Sequence, residues 1–303
     1  MSAKTLRNLV VALIVVLLLW GGTVMISSRG EAKGADAEVA GVLDGLTPDA
    51  VTSVRMTRGG DTISLTRKGS GWDVNGWAAD SAQVAGLFGT VADAHIGDLV
   101  ATNPANHDRM GVSEDSAWTV VFDVGSKART LLVGDRGPRY GTAYVRLPGE
   151  DAVYLVEGDL RARMDRSLTE WRNKRIAAVD TGEVARIEVS RQGAPYTLMR
   201  ADSSWTLEGG GPADTSAVQT MLAGLANVRA DGFTSESDSV GGLPEEVAVT
   251  ALSPKGDTLA ALSFGEGSGT RWARARGDSV LYTVEGWRVD RLAPTREKVG
   301  AGG

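Results

Sequence analysis

With 303 residues, 42% of them hydrophobic and 23% charged, the chain has ordinary globular composition and enough length for one large domain or two ordinary ones. That excludes a wholly disordered chain and a polytopic membrane protein. A formal charge of -6 argues against a general nucleic-acid binder, which needs a basic surface to displace counterions from phosphate. With no cysteine there is no disulfide framework, thiol nucleophile or Cys-ligated metal, and only two histidines remain for acid/base work or metal binding.

Residues 9–26, LVVALIVVLLLWGGTVMI, carry no charge. As a helix rising ~1.5 Å per residue they cover about 27 Å, close to the ~30 Å hydrocarbon core of a bilayer. A cleaved signal peptide is the alternative, but its apolar region runs only ~7–15 residues and ends at a small-x-small site. Here the Ala-containing sites of SSRGEAKGADA begin several residues beyond the apolar edge. Lys4 and Arg7 before the span are balanced by Arg29 and Lys33 after it, and the free terminal amine tips the N-terminus inward. The reading is a cytoplasmic segment at 1–8, a transmembrane helix at 9–26, a small polar stalk at 27–45, and an extracytoplasmic, periplasmic remainder.

That remainder repeats itself. VTSVRMTRGGDTISLTRKGSGWDV from Val51 matches VARIEVSRQGAPYTLMRADSSWTL from Val184, a shift of 184 - 51 = 133. Asp80, Val84, Leu87, Phe88 and Val91 then fall on Asp214, Val218, Met221, Leu222 and Leu225 at a shift of 134. Leu131 and Gly134 meet Leu262 and Gly265 at 131, and YLVEG at Tyr154 meets YTVEG at Tyr282 at 128. A collinear series of this kind implies duplication.

Each copy opens with short alternating strands, at Val54 and Met56, Ile63 and Leu65, then Trp72 and Val74 in the first, around a Gly59-Gly60 turn. An amphipathic helix follows, its apolar residues at i, i+3, i+4 and i+7. Asp80 is its expected N-cap, with Gln83 placed for a capping box, and Asp214 or Ser216 caps the second copy. Three or four further strands close each copy. The expected fold is α+β: two tandem homologous strand-rich lobes, 46–166 and 181–294, each with one main amphipathic helix, after the N-terminal transmembrane helix. Residues 167–180 form a connector and 295–303 a disordered tail.

Residues that could carry chemistry are few. His95, expected at the end of the first helix, and His107, in a polar loop, have no counterparts in the second copy and form no HExxH pair, so no metal site is expected. GEGSGTR around Gly265 leads into a strand and reads as a hairpin turn rather than a phosphate cradle. No GxSxG or SxxK motif is present. Glu157 and Glu285 occupy equivalent VEG positions and read as strand-end turns ahead of an acid/base pair. Trp72, Trp205, Trp272 and Tyr144 read as core ahead of a sugar-stacking strip. The paired arginines Arg67 and Arg200, Arg146 and Arg274, together with Arg172, Lys174 and Arg175 of the connector, are either structural or partner-facing.

The order of these features carries a resemblance. A strand pair, the Trp72-Asp73-Val74 strand, Ala79-Asp80 before the helix, a glycine turn, a strand ending in Gly134, the Tyr144-Val145 strand and the WRNKRI segment together resemble the domain of unknown function 4340 family over roughly residues 46–290. In place of the family's Tyr-Gly-Leu the copies have Met110-Gly111-Val112 and Gly241-Gly242-Leu243. The resemblance implies a bacterial membrane-anchored protein associated with gliding-type ABC exporters, and it carries no catalytic residues. The expected function is therefore non-enzymatic and cofactor-free: an extracytoplasmic binding or scaffold component with protein partners in a transporter complex, neither nucleic acid nor metal being a partner. An envelope glycan- or lipid-binding module is the alternative, and a hydrolase comes third.

Overall fold

The alternation of apolar and polar residues at Val54, Arg55 and Met56 turns Val54 and Met56 inward along β1 (Val51–Arg58) and leaves Arg55 in solvent. A computed structural model describes residues 38–202, 204–234, 244–266 and 270–300. The expected membrane span, the segment before it, most of the stalk and the Gly241-Gly242-Leu243 turn lie outside the described residues. Among the described residues no helix is long and apolar enough to cross a membrane. The chain is strand-rich with few helices, an α+β protein of two compact units, Met1–Asn173 and Lys174–Gly303.

In the first unit β1 pairs with β2 (Asp61–Lys68), and β3 (Gly71–Val74) and β4 (Trp77–Ala78) extend the sheet on that side. Gly59 and Gly60, both at positive φ, make the two-residue turn between β1 and β2 that matches strand twist. On the other side of β1 lie β6 (Trp118–Val124), β7 (Lys127–Arg136), β8 (Thr142–Arg146), β9 (Val153–Glu157) and finally β5 (His95–Ala101). Every pairing is antiparallel. The helix α2 (Ser81–Ala92) buries the expected Val84, Leu87, Phe88 and Val91 in the same core as Val54, Leu65 and Phe122. Each such burial is worth about 1.5–3 kcal/mol. Two short helices, α3 (Leu160–Met164) and α4 (Leu168–Trp171), complete the unit.

The second unit repeats the topology with its own residues. β11 (Arg186–Arg191), β12 (Ala194–Ala201) and β13 (Ser204–Leu207) precede α5 (Thr215–Ala226). The sheet then continues through β16 (Val247–Leu252), β17 (Thr258–Glu266), β18 (Arg271–Ala275) and β19 (Tyr282–Val284) to β15 (Gly232–Phe233). A separate two-stranded sheet pairs β10 (Arg175–Ala177) with β14 (Val228–Arg229). The helices α6 (Gly286–Leu292) and α7 (Arg296–Val299) follow β19. Because β17 pairs antiparallel with β18, the glycine-rich GEGSGTR run joins two hairpin strands and opens no helix.

Several boundaries differ from the expectation, each for a packing reason. Residues 38–43 are helical (α1), and Val39, Leu43 and Leu46 join the core of the first unit, so the solvated stalk does not reach residue 45. The expected connector is divided. Leu168–Trp171 forms α4 with Trp171 fully buried in the first unit, while Ile176 and Val179 join the second core. The expected disordered tail contains α7, whose Val299 is 0% exposed. Trp171 and Val299 are equivalent, since 299 - 171 = 128, the shift at which the VEG strands match, so the duplicated unit extends through both.

The capping box does not form at Asp80. Its Oδ1 accepts from the N–H groups of Ala82 at 2.9 Å and Gln83 at 3.3 Å, as an N-cap does, but its own N–H donates to the carbonyl of Trp171 at 2.8 Å. Gln83 is thereby left without that role. Asp214, not Ser216, caps α5: its Oδ1 accepts from Ala217 N–H at 2.7 Å, and its N–H donates to the carbonyl of Val299 at 2.8 Å.

Candidate functional site

The arginines singled out by the repeat fall into different roles. Arg67 donates to the carbonyl of Asp49 at 2.8 Å and to its carboxylate at 2.9 Å, and Arg200 donates to the carbonyl of Gly182 at 3.1 Å. Each fastens the segment entering the first strand of its unit's main sheet, β1 or β11. Arg146 is 5% exposed and donates to the carbonyls of Val112 at 3.0 Å and Glu150 at 2.8 Å, so it is structural rather than partner-facing. Its counterpart Arg274 is half-buried on β18, opposite Ser263. The guanidinium of Arg172 lies 4.2 Å from the ring centre of Trp77. Lys174 offers its carbonyl to Ala230 N–H at 2.8 Å, and Arg175 is exposed in β10. Within each unit these residues sit on separate elements and do not converge.

The histidines are placed differently from expectation. His95 opens β5 rather than ending α2, because the helix stops at Ala92. His107 is 8% exposed and not a surface residue: its Nε2 lies 3.0 Å from the carbonyl of Asp151, between two short 3-10 turns. Among the described residues no group of His, Asp or Glu is arranged to hold a metal ion. Glu157 pairs with Arg139 at 3.0 Å, and Glu285 is the N-cap residue of α6, its N–H donating to Asp231 Oδ2 at 2.9 Å. Trp272 is buried; Trp72, Trp205 and Tyr144 are half-buried, with Trp72 5.5 Å from Phe88. They line cores and form no exposed strip.

The surface feature that repeat-based reasoning missed is in the second unit. Trp287, at the start of α6, is 50% exposed, with the guanidinium of Arg288 at 4.7 Å and that of Arg291 at 5.8 Å from its ring. Such contacts are worth about 0.5–1 kcal/mol at an exposed site. Beside it a pocket of about 170 Å³ opens between α5 and α6, lined by the buried Phe264, Val284 and Leu292 and by Arg229, Trp287, Arg288 and Arg291. Gly224 of α5 permits this packing, since a Cβ there would lie 2.8 Å from Leu292 Cδ2. Arg288 also pairs with Asp231 Oδ1 at 3.0 Å. The signal in the sequence was the asymmetry: at a shift of 128, Trp287 stands opposite Asp159, so an aromatic appears in one copy only.

A family model described as Domain of unknown function (DUF4340) matches residues 72–241, more than half of the chain. The chain belongs to this family. The matched region of this DUF4340 member runs from β3 of the first unit into the second, through α5 and β15. No curated protein and no solved structure matches the chain.

Proposed function

We propose that this DUF4340 protein is a membrane-anchored, extracytoplasmic binding and scaffold protein, an accessory component of a gliding-type ABC export system. The observation that carries the reading is the half-exposed Trp287, which lines a pocket and has the guanidinium groups of Arg288 and Arg291 against its ring. Trp and Arg are the residue types that dominate the energetics of protein interfaces. The uncharged stretch at 9–26 supports a tether, and a tether raises the effective concentration of the binding surface near membrane partners. Catalysis is no part of this reading: Glu157 and Arg146 are engaged in ion pairing and backbone bonding, and Glu285 in capping a helix.

The test is mild crosslinking of the full chain in native membranes, followed by detergent extraction and identification of what co-purifies. Recurrent recovery of an ATPase and a membrane-spanning subunit of one transporter is expected. Recovery of no recurrent partner sinks the reading.

A further inference from the structure

The two units differ where the duplication would have them alike. Arg163 and Arg291 are equivalent at 291 - 163 = 128, and Thr90 and Gly224 at 224 - 90 = 134, the shifts of their respective segments. In the first unit Arg163 donates from Nε to Thr90 Oγ1 at 3.0 Å, and its guanidinium packs against Gly86, where a Cβ would lie 2.9 Å from Nη1. In the second unit the threonine is replaced by glycine, and the arginine has lost its acceptor. Arg291 is exposed, and among the described residues it has no hydrogen-bond or ion-pair partner, only the face of Trp287. Arg288 has its Nε shielded from solvent with no acceptor among the described residues, although its Nη2 is held by Asp231. Both oxygens of Asp231 are already engaged, by Arg288 and by the N–H of Glu285.

We propose that the pocket between α5 and α6 is a docking site for an acidic segment of a partner polypeptide, one apolar side chain entering against Leu292 and Val284 while flanking carboxylates meet Arg288 and Arg291. Charge and size both select this occupant. Among the described residues the pocket is lined by Arg229, Arg288 and Arg291 and by no carboxylate, and of these Arg288 is paired with Asp231. A guanidinium fork matches a carboxylate in a bidentate pair, and arginines lining an apolar pocket favour a ligand that is apolar at one end and anionic at the other. At about 170 Å³ the pocket takes a single side chain, below the ~300 Å³ at which pockets for larger ligands begin. In the first unit the equivalent arginine, Arg163, is committed to Thr90. The proposal rests on the reading of the chain as a partner-binding protein.

The experiment titrates the full chain, in detergent micelles, into a fluorescein-labelled Glu-Glu-Leu-Glu-Glu peptide and follows anisotropy. Saturable binding is expected, weakened at least about ten-fold by Trp287→Ala, by Arg291→Glu, or by Gln in place of the peptide's Glu. Arg55→Glu, which makes the same charge change on an exposed strand position of the first unit, should alter it less than about two-fold. Binding that is indifferent to both Trp287→Ala and Arg291→Glu overturns the proposal. So does Trp287-dependent binding to phosphatidylglycerol vesicles without binding to the peptide. If the peptide fails while crosslinked transporter subunits persist in the Trp287→Ala protein, the pocket assignment falls and the scaffold reading stands. If the peptide binds as expected while no partner is crosslinked, the scaffold reading falls instead.

Discussion

The backbone N–H of Asp80 donates to the carbonyl of Trp171 at 2.8 Å, so the residue that caps the first main helix is itself held by a segment at the far end of its unit. Asp214 and Val299 repeat the arrangement at the same distance. Each aspartate therefore joins two elements, its carboxylate satisfying the helix and its amide the closing segment.

Replacing Asp80 or Asp214 by Ala removes the side-chain cap and leaves the amide bond to the closing segment in place. Each change is expected to destabilise its own unit by about 1 kcal/mol. Hydrogen exchange resolved to single amides should show faster exchange at Ala82 and Gln83 in one variant and at Ala217 in the other.

Deleting residues 296–303 removes the buried Val299 and the acceptor of Asp214 N–H together. A loss of about 2–4 kcal/mol is expected in the second unit, from one buried side chain and one orphaned amide. Denaturant unfolding should show the second unit's transition moving to lower denaturant while the first stays in place.

Gly134 and Gly265 are equivalent at a shift of 131, and each is pressed against passing backbone. A Cβ at Gly134 would collide with the carbonyl of Met110, and one at Gly265 with the carbonyl of Pro244 and the indole of Trp272. Alanine at either position is expected to destabilise by at least about 2 kcal/mol, since the backbone of a packed sheet yields little. Thermal melts of the two variants measure it.

Arg146 and Arg274 match in sequence and differ in use. Arg146→Met withdraws a charged donor from buried carbonyls and should cost about 2–4 kcal/mol. Arg274→Met, at a half-buried position, should stay within about 0.5 kcal/mol of the parent by the same denaturant measurement.

Tyr196 donates its hydroxyl to the carbonyl of Pro294 at 2.7 Å. Burial raises its phenol pKa well above the ordinary value, and the charge of Arg191 offsets only part of that. Because the folded value lies above the unfolded one, the contribution is fully present below about pH 10 and is lost as pH rises from there towards the folded value. Tyr196→Phe should remove this alkaline loss while lowering stability by about 1 kcal/mol at neutral pH. Stability of both proteins measured over roughly pH 8 to 12, the range in which an ordinary phenol titrates, separates the two effects.

What the sequence made legible was local. The 3.6-residue spacing of Val84, Leu87, Phe88 and Val91 is enough to assign the buried face of α2, and an aspartate before such a run is enough to assign its cap. The partners of Asp80 and Asp214 are main-chain carbonyls, which any residue provides, so nothing in composition marks Trp171 or Val299 as acceptors. The four-residue α7 is too short for periodicity to show, and Val39, Leu43 and Leu46 are too sparse among small residues to announce a core segment. Arg67 and Arg200, matched across the copies, both donate to backbone carbonyls just before β1 and β11. Arg146 and Arg274 match in the same way and yet differ in burial, which the match does not show, and Trp287 has no match to mark it.

The shared strand order has a consequence for synthesis. In each unit the strand that follows the main helix, β5 or β15, finds its place only beside the last strand, β9 or β19. At translation speeds of roughly 5–20 residues per second, β5 is without its neighbour for several seconds while the intervening strands emerge. Two such units in tandem add a hazard: strands of one can be offered edges of the other before their own have been made. Arg58 and Arg191, equivalent at a shift of 191 - 58 = 133, each reach an aspartate in the segment after the last strand, Asp165 at 4.0 Å and Asp290 at 2.6 Å, so in each unit an early strand of the main sheet is tied to the part synthesised last.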